Sequence, residues 1–152
     1  MKIASEELHD LFRNALRKDK CFAALPAGRQ EELLQKAVQE GTERADKLRA
    51  ELETPDFEGI RRWLLDDGIR VVKLDTKYQL PYIAEYEEKK KQITLYVRRI
   101  AQMQQTLEKL HPEYFEKCPL EEMCLAHECF HHLEKKGNHT TGRLIWSEER
   151  LL

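Results

Sequence analysis

The sequence lacks several features that would assign the protein to a familiar class. No apolar run approaches the roughly 20 residues of a membrane-spanning helix, and no apolar signal segment follows the first methionine, so we expect a cytoplasmic protein. The net charge of −2 offers no basic excess for binding nucleic acid directly. The four cysteines do not follow the paired spacing of a zinc ribbon, which favours free thiols in a reducing compartment.

The length and the hydrophobic pattern predict one domain with two parts. The chain has 152 residues, which is an ordinary length for a single domain. The spacing of apolar residues is helical in three early segments, at residues 5–19, 29–53 and 57–64. We therefore expect a helical N-terminal part at residues 1–54 and an α+β part at residues 55–152.

After Gly68 the pattern changes to that of β-strands. Three segments are rich in β-branched and aromatic residues, at positions 69–74, 82–86 and 93–97. We interpret them as a small three-stranded antiparallel sheet. Helical spacing returns from Val97 to Pro112 and again after Pro119. The order of N-terminal helices, a sheet and two further helices predicts an α+β fold.

The last predicted helix contains the motif His-Glu-x-x-His, formed by His127, Glu128 and His131. Residues four apart on a helix share a face, so both imidazoles can reach one metal ion. Glu128 is rotated by about 100° from His127 and can act as a general base on a metal-bound water. This is the pattern of zinc peptidases. Because the helix is apolar on most faces, we expect buried histidines; the alternative is a pair of core histidines satisfied by hydrogen bonds.

The motif leaves one zinc ligand to be found, because a catalytic zinc has three protein ligands and a water. Gly137 occupies the position, six residues after the second histidine, where some zinc peptidases place a third. The remaining candidates, in order of preference, are Glu148 or Glu149, and then His139.

Three neighbours of the motif are further candidates. Cys124 lies one turn before His127, where it would suit a soft metal ion or be a small core residue. His132 lies four residues after Glu128, and it would either hydrogen-bond the base or a reaction intermediate, or lie on the surface. Glu134 follows the second histidine on the same helix, and we expect it to project past the metal site.

The segment Leu125–Glu134, Leu-Ala-His-Glu-Cys-Phe-His-His-Leu-Glu, is similar to the motif helix of the ImmA/IrrE-type metallopeptidases. The usual form in that family is Ala-His-Glu-Leu-Gly-His followed by apolar residues. The order of a small sheet, a helix and the motif helix also resembles the family. The segment Leu25–Gln30 looks like the N-terminal helices of bacterial members.

The resemblance implies a cytosolic zinc endopeptidase of bacteria or phages, often one that cuts a transcriptional repressor. Under it, His127 and His131 bind zinc and Glu128 is the general base. It also implies a strand whose edge aligns an extended substrate by strand addition. That strand comprises Ile93, Thr94, Leu95 and Tyr96.

One departure from the family supplies an alternative. Family members continue past the zinc helix into a further helix that holds the third ligand, whereas this sequence ends at Leu152, where Ser147 would cap only its start. Without that helix, the chain would be a metal-binding but catalytically inactive regulatory or interaction module. A third interpretation is a di-iron bundle built on Glu108-x-x-His111 and Glu128-x-x-His131, but the strand-like middle leaves too few long helices.

Overall fold

The computed structural model describes residues 5–116 and 118–137 of the protein, and within them it confirms the α+β class. No helix in these ranges is both long enough and apolar enough to cross a membrane. The elements in chain order are α1 (Ser5–Leu16), α2 (Lys20–Ala23), α3 (Ala27–Glu51), α4 (Phe57–Asp66), β1 (Arg70–Leu74), β2 (Ala84–Glu87), β3 (Gln92–Tyr96), α5 (Val97–Leu110), a 3-10 turn (Pro112–Tyr114) and α6 (Leu120–Gly137).

The described residues divide into two compact units between Ala50 and Glu51. The first unit contains three helices around a small apolar core of Phe22, Leu25 and Leu33. Its short helix α2, which the sequence pattern did not predict, begins because the Asp19 carboxylate accepts hydrogen bonds from the backbone N–H groups of Cys21 and Phe22.

The second unit contains a mixed three-stranded sheet in the order β1-β3-β2. Strands β2 and β3 form an antiparallel hairpin, with Ala84 opposite Leu95. Strands β1 and β3 run parallel, from Arg70 opposite Gln92 to Leu74 opposite Tyr96. The expectation of a purely antiparallel sheet is therefore wrong.

Burial explains why β3 is the central strand. Its residues Ile93, Thr94, Leu95 and Tyr96 are all buried, whereas β1 is exposed at both of its ends. The connection at residues 75–83 carries the chain past β3, so that β2 pairs on the far side. The prediction that residues 93–96 form a free edge for substrate is therefore wrong, because both sides of β3 are already paired. The edges of the described sheet are β1 and β2.

Helix α6 packs against β2, β3, α4 and α5. It begins just after Pro119, and its first N–H, at Leu120, donates to the side-chain oxygen of Gln104 on α5 at 2.9 Å. Lys73 of β1 donates to Glu121 in its first turn at 2.9 Å. The helix is thus held at its start by both a neighbouring helix and the sheet.

Candidate metal centre

Helix α6 turns one face to the core and the two motif histidines to solvent. At about 100° per residue, its buried residues fall on one continuous arc of the helix. They are Cys124, Leu125, Glu128, Cys129 and His132. His127 and His131 lie beyond one end of this arc and are exposed. The expectation of buried histidines is wrong, because the apolar arc covers less of the helix than the composition of α6 indicated.

The two exposed histidines meet through the same ring atom. Nε2 of His127 and Nε2 of His131 are 3.1 Å apart, and the rings are perpendicular with centroids 4.7 Å apart. Two nitrogens that each lie about 2.0–2.1 Å from a tetrahedral zinc are separated by about 3.3–3.4 Å. The pair therefore already has nearly the spacing that two zinc ligands need.

Glu128 lies within the buried arc, about 60° around the helix from His131. It is 6% exposed. One carboxylate oxygen and one nitrogen from each of His127 and His131 all lie within 4.8 Å of one another. Among the described residues, no hydrogen-bond donor reaches this carboxylate. Its oxygens keep some contact with solvent, so their lone pairs are available for a ligand or for a proton.

These three residues fit a zinc ion by their chemistry as well as their spacing. Imidazole nitrogen and carboxylate oxygen are both ordinary zinc ligands. Within residues 5–116 and 118–137, this is the one cluster of such groups, so the Glu108–His111 pair does not join it. The three predicted candidates for a further ligand, Glu148, Glu149 and His139, lie outside the described residues.

Cys124 does not belong to the cluster. It is buried at the end of the arc nearest to the histidines, but its thiol is not among the clustered ligand atoms, and burial raises the pKa of this thiol to about 11. The same effect raises the pKa of the Cys129 thiol to about 12. Both are therefore protonated, uncharged core residues at neutral pH in the metal-free protein, and Cys124 lies outside the cluster of candidate ligands.

Glu134 is placed differently from its predicted position past the site. Its Oε2 lies 3.3 Å from Nδ1 of His131, on the side of the ring away from His127. The carboxylate is therefore next to a motif histidine without being in the cluster itself.

His132 occupies neither of its two predicted positions. It is 8% exposed, and both of its ring nitrogens have partners away from Glu128. Nε2 contacts the Asp67 carboxylate at 2.5 Å, and Nδ1 contacts the Tyr86 hydroxyl at 2.9 Å. The rings of Trp63 and Tyr86 also contact the His132 ring edge-on. His132 thus fixes α6 to the end of α4 and to β2.

Lys136 completes this contact between α6 and the end of α4. Its ammonium donates to Asp67 at 2.9 Å and lies 5.3 Å from the centroid of the Trp63 ring. The hydrogen bond from Lys136, followed by that from His132, lowers the pKa of the Asp67 carboxyl. Burial raises the pKa of Tyr86. Sequence reasoning missed Asp67 and Tyr86, because no local pattern links them to residues far along the chain.

No family model matches the chain, and no curated protein or solved structure is significantly similar to it. The resemblance to the ImmA/IrrE-type metallopeptidases therefore stays a prediction.

Proposed function

We propose that this protein is a zinc-dependent metallopeptidase-like protein that hydrolyses peptide bonds of a protein substrate. The observation that carries the proposal is the approach of two exposed imidazoles, with Nε2 of His127 and Nε2 of His131 3.1 Å apart, beside a carboxylate oxygen of the largely buried residue Glu128. Neither a stable helix nor a packed core requires this combination.

Each residue has a distinct task under this proposal. His127 and His131 hold the zinc through their Nε2 atoms. When bound, zinc lowers the pKa of a water and polarises the carbonyl of the peptide to be cut. Glu128 accepts the proton of the attacking water at its carboxylate and passes it to the leaving amine. Because no donor among the described residues occupies this carboxylate, its lone pairs are available for that proton.

The strand proposed to bind substrate is β2, in place of β3, which was predicted from the sequence. Zinc peptidases that bind substrate by strand addition need an unpaired strand edge near the metal helix. Among the described strands, β2 is an edge strand that packs against α6. An extended protein segment would pair with the outer edge of Ala84–Glu87. By analogy with the family that the motif resembles, a transcriptional repressor is the proposed substrate.

The cysteines support the cytoplasm as the proposed compartment. All four cysteines are free thiols, and two of them, Cys124 and Cys129, are buried. Free thiols persist where glutathione and thioredoxin keep proteins reduced.

The second candidate function is a metal-binding regulatory module without catalytic activity. The observation that favours it is the size of the cluster, because the described residues supply only two histidines and one carboxylate. If Glu128 serves as the base, two ligands remain, and two ligands alone do not make a catalytic zinc site.

The first experiment measures zinc by mass spectrometry in untagged protein that was purified without chelator. We expect close to one zinc per chain in the wild type, loss in His131→Ala, and retention in His111→Ala, which removes an exposed histidine outside the cluster. An unloaded wild type that takes up no added zinc would overturn both candidate functions.

The second experiment separates the two functions. Wild type and Glu128→Gln, each loaded with zinc, are incubated with a proteome-derived peptide library, and new peptide termini are identified by mass spectrometry. Cleavage by the wild type that is absent in Glu128→Gln supports the peptidase. Zinc retention without any cleavage supports the regulatory module, and equal cleavage by both would exclude Glu128 as the base.

A further inference from the structure

We infer that Glu134 is a positioning residue of the metal site, which orients His131 so that the lone pair of its Nε2 faces the metal. This inference rests on the proposed function, because it gives Glu134 a role at the same zinc site. Glu134 does not belong to the three-residue cluster, and its contribution acts through the ring of His131.

The contact arises from the helix itself. Glu134 lies three residues after His131, and residues at this spacing are neighbours on a helix surface. Oε2 of Glu134 is 3.3 Å from Nδ1 of His131. The Glu134 side chain is 17% exposed and the His131 side chain 48% exposed, so the carboxylate sits deeper than the ring that it holds.

The hydrogen bond determines which nitrogen of His131 carries the proton. An ionised carboxylate can only accept hydrogen bonds, so Nδ1 of His131 must be the donor. In the neutral imidazole the other nitrogen, Nε2, then has a free lone pair. That lone pair faces Nε2 of His127, which is 3.1 Å away. A metal held by both histidines would lie between these two nitrogens.

The same reasoning makes the two histidines unequal. In the metal-free protein, the lone pair on Nε2 of His131 accepts a hydrogen bond, and the donor at 3.1 Å is the Nε2–H of His127. His131 is therefore already in the tautomer that binds metal, whereas His127 must release or relocate its Nε2 proton first. Through this hydrogen bond, Glu134 prepares His131 to bind the metal before His127 does.

The inference predicts a loss of metal affinity when Glu134 is removed. Partners that hydrogen-bond the second nitrogen of a ligating histidine typically contribute about 10-fold to 100-fold to metal affinity. We expect Glu134→Ala to weaken zinc binding by about this factor. Glu134→Gln should lose less, because its amide oxygen can still accept a hydrogen bond from Nδ1–H but carries no charge.

The tautomers can be read directly, without any metal. Long-range ¹H–¹⁵N correlation spectra of the full-length, metal-free protein at a pH where both rings are neutral distinguish a protonated Nδ1 from a protonated Nε2. We expect an Nδ1–H ring for His131 and an Nε2–H ring for His127 in the wild type. The His131 ring should become a mixture of tautomers in Glu134→Ala and remain mainly Nδ1–H in Glu134→Gln.

Zinc affinity is then measured on the same variants by competition with a chromophoric chelator. Glu113→Ala is the matched control, since it removes a similar contact, 3.4 Å from Nδ1 of His111, outside the site. A loss in Glu134→Ala that is partly restored in Glu134→Gln and absent in Glu113→Ala supports the inference.

The two readouts keep the inference separate from the proposed function. Wild-type protein that binds zinc with the same affinity as Glu134→Ala would overturn the positioning role and leave the proposed function intact. Wild-type protein that binds no zinc would overturn the proposed function and, with it, the role of Glu134 at a metal site. An Nε2–H tautomer for His131 in the wild type would overturn the orientation argument whatever the zinc result.

Discussion

The largely buried side chain of Glu128 should make the metal-free protein less stable than a variant with an apolar residue at this position. Glu128 is 6% exposed and no donor among the described residues reaches it, although its carboxylate oxygens keep some contact with solvent. A polar group that is buried without a hydrogen bond costs about 1–3 kcal/mol in proteins. We expect Glu128→Met to recover this cost, because methionine has a similar length, no charge and nearly the same helix propensity.

The magnitude follows from the environment of the side chain. Since the carboxylate oxygens keep some contact with solvent, only the lower end of this cost applies, and the free energy of unfolding should rise by about 1 kcal/mol. For a chain of this length, a gain of about 1 kcal/mol corresponds to a rise in Tm of roughly 2–4 °C. Glu128→Gln removes the charge and keeps a buried polar amide, so it should gain less.

The assay is urea unfolding, followed by circular dichroism in buffer that contains a chelator, so that no metal contributes to stability. Glu108→Met on α5 is the control, because it makes the same substitution at an exposed helical position. We expect the control to change the free energy of unfolding by less than about 0.5 kcal/mol. A Glu128→Met protein that is no more stable than Glu108→Met would refute the reasoning, because the carboxylate would then be compensated in the folded state.

Two further predictions concern the contacts around His132. Tyr86→Phe should lower the free energy of unfolding by about 1–3 kcal/mol, because it leaves the buried Nδ1 of His132 without its partner at 2.9 Å. The control Tyr82→Phe, at a residue that is 42% exposed, should change the free energy of unfolding little. Equal effects of the two substitutions in urea unfolding would contradict the role given to Tyr86. The pKa of Asp67 is lowered from 3.8, so its contribution to stability is complete above that value and is lost as the pH falls through the folded-state pKa. The stability difference between wild type and Asp67→Asn should therefore be constant near neutral pH and shrink below pH 3.8, and a difference that persists unchanged in acid would argue against it.

The helices were largely predictable because their signals are local. The spacing of apolar residues and the turn residues near Pro26, Gly68 and Pro119 place five of the helices close to their observed bounds. Helix α2 was missed because it has only four residues and depends on one side-chain cap, which a periodicity of several turns cannot detect.

The order of the strands was not predictable in the same way. All three strands were recognised, but the partner of each depends on burial in the whole unit and not on its own pattern. The apolar content of β3 draws it to the centre, and the connection at residues 75–83 is long enough to permit a parallel pair. The antiparallel sheet was predicted on the assumption that successive strands lie side by side, and the free edge at residues 93–96 was taken from the resemblance to the ImmA/IrrE-type metallopeptidases.

In the candidate site, too, contacts within one helix were predictable and contacts between distant parts of the chain were not. The approach of His127 and His131 follows from a spacing of four residues on one helix, and the sequence is sufficient to predict it. The partners of His132 lie 65 and 46 residues away, at Asp67 and Tyr86, and only the fold brings them together. Glu134 was predictable only in part. The sequence shows that it lies three residues after His131, but not that its carboxylate turns toward Nδ1 of that ring.

The exposure of the histidine pair also bears on how the chain would change over evolutionary time. The contacts of His127 and His131 among the described side chains are with each other and with Glu134, so many polar residues could replace them without disturbing the core. Glu128 would be replaced at a gain in stability. Selection for the fold alone would thus allow substitutions at all three positions, and a descendant could keep its fold after losing the motif.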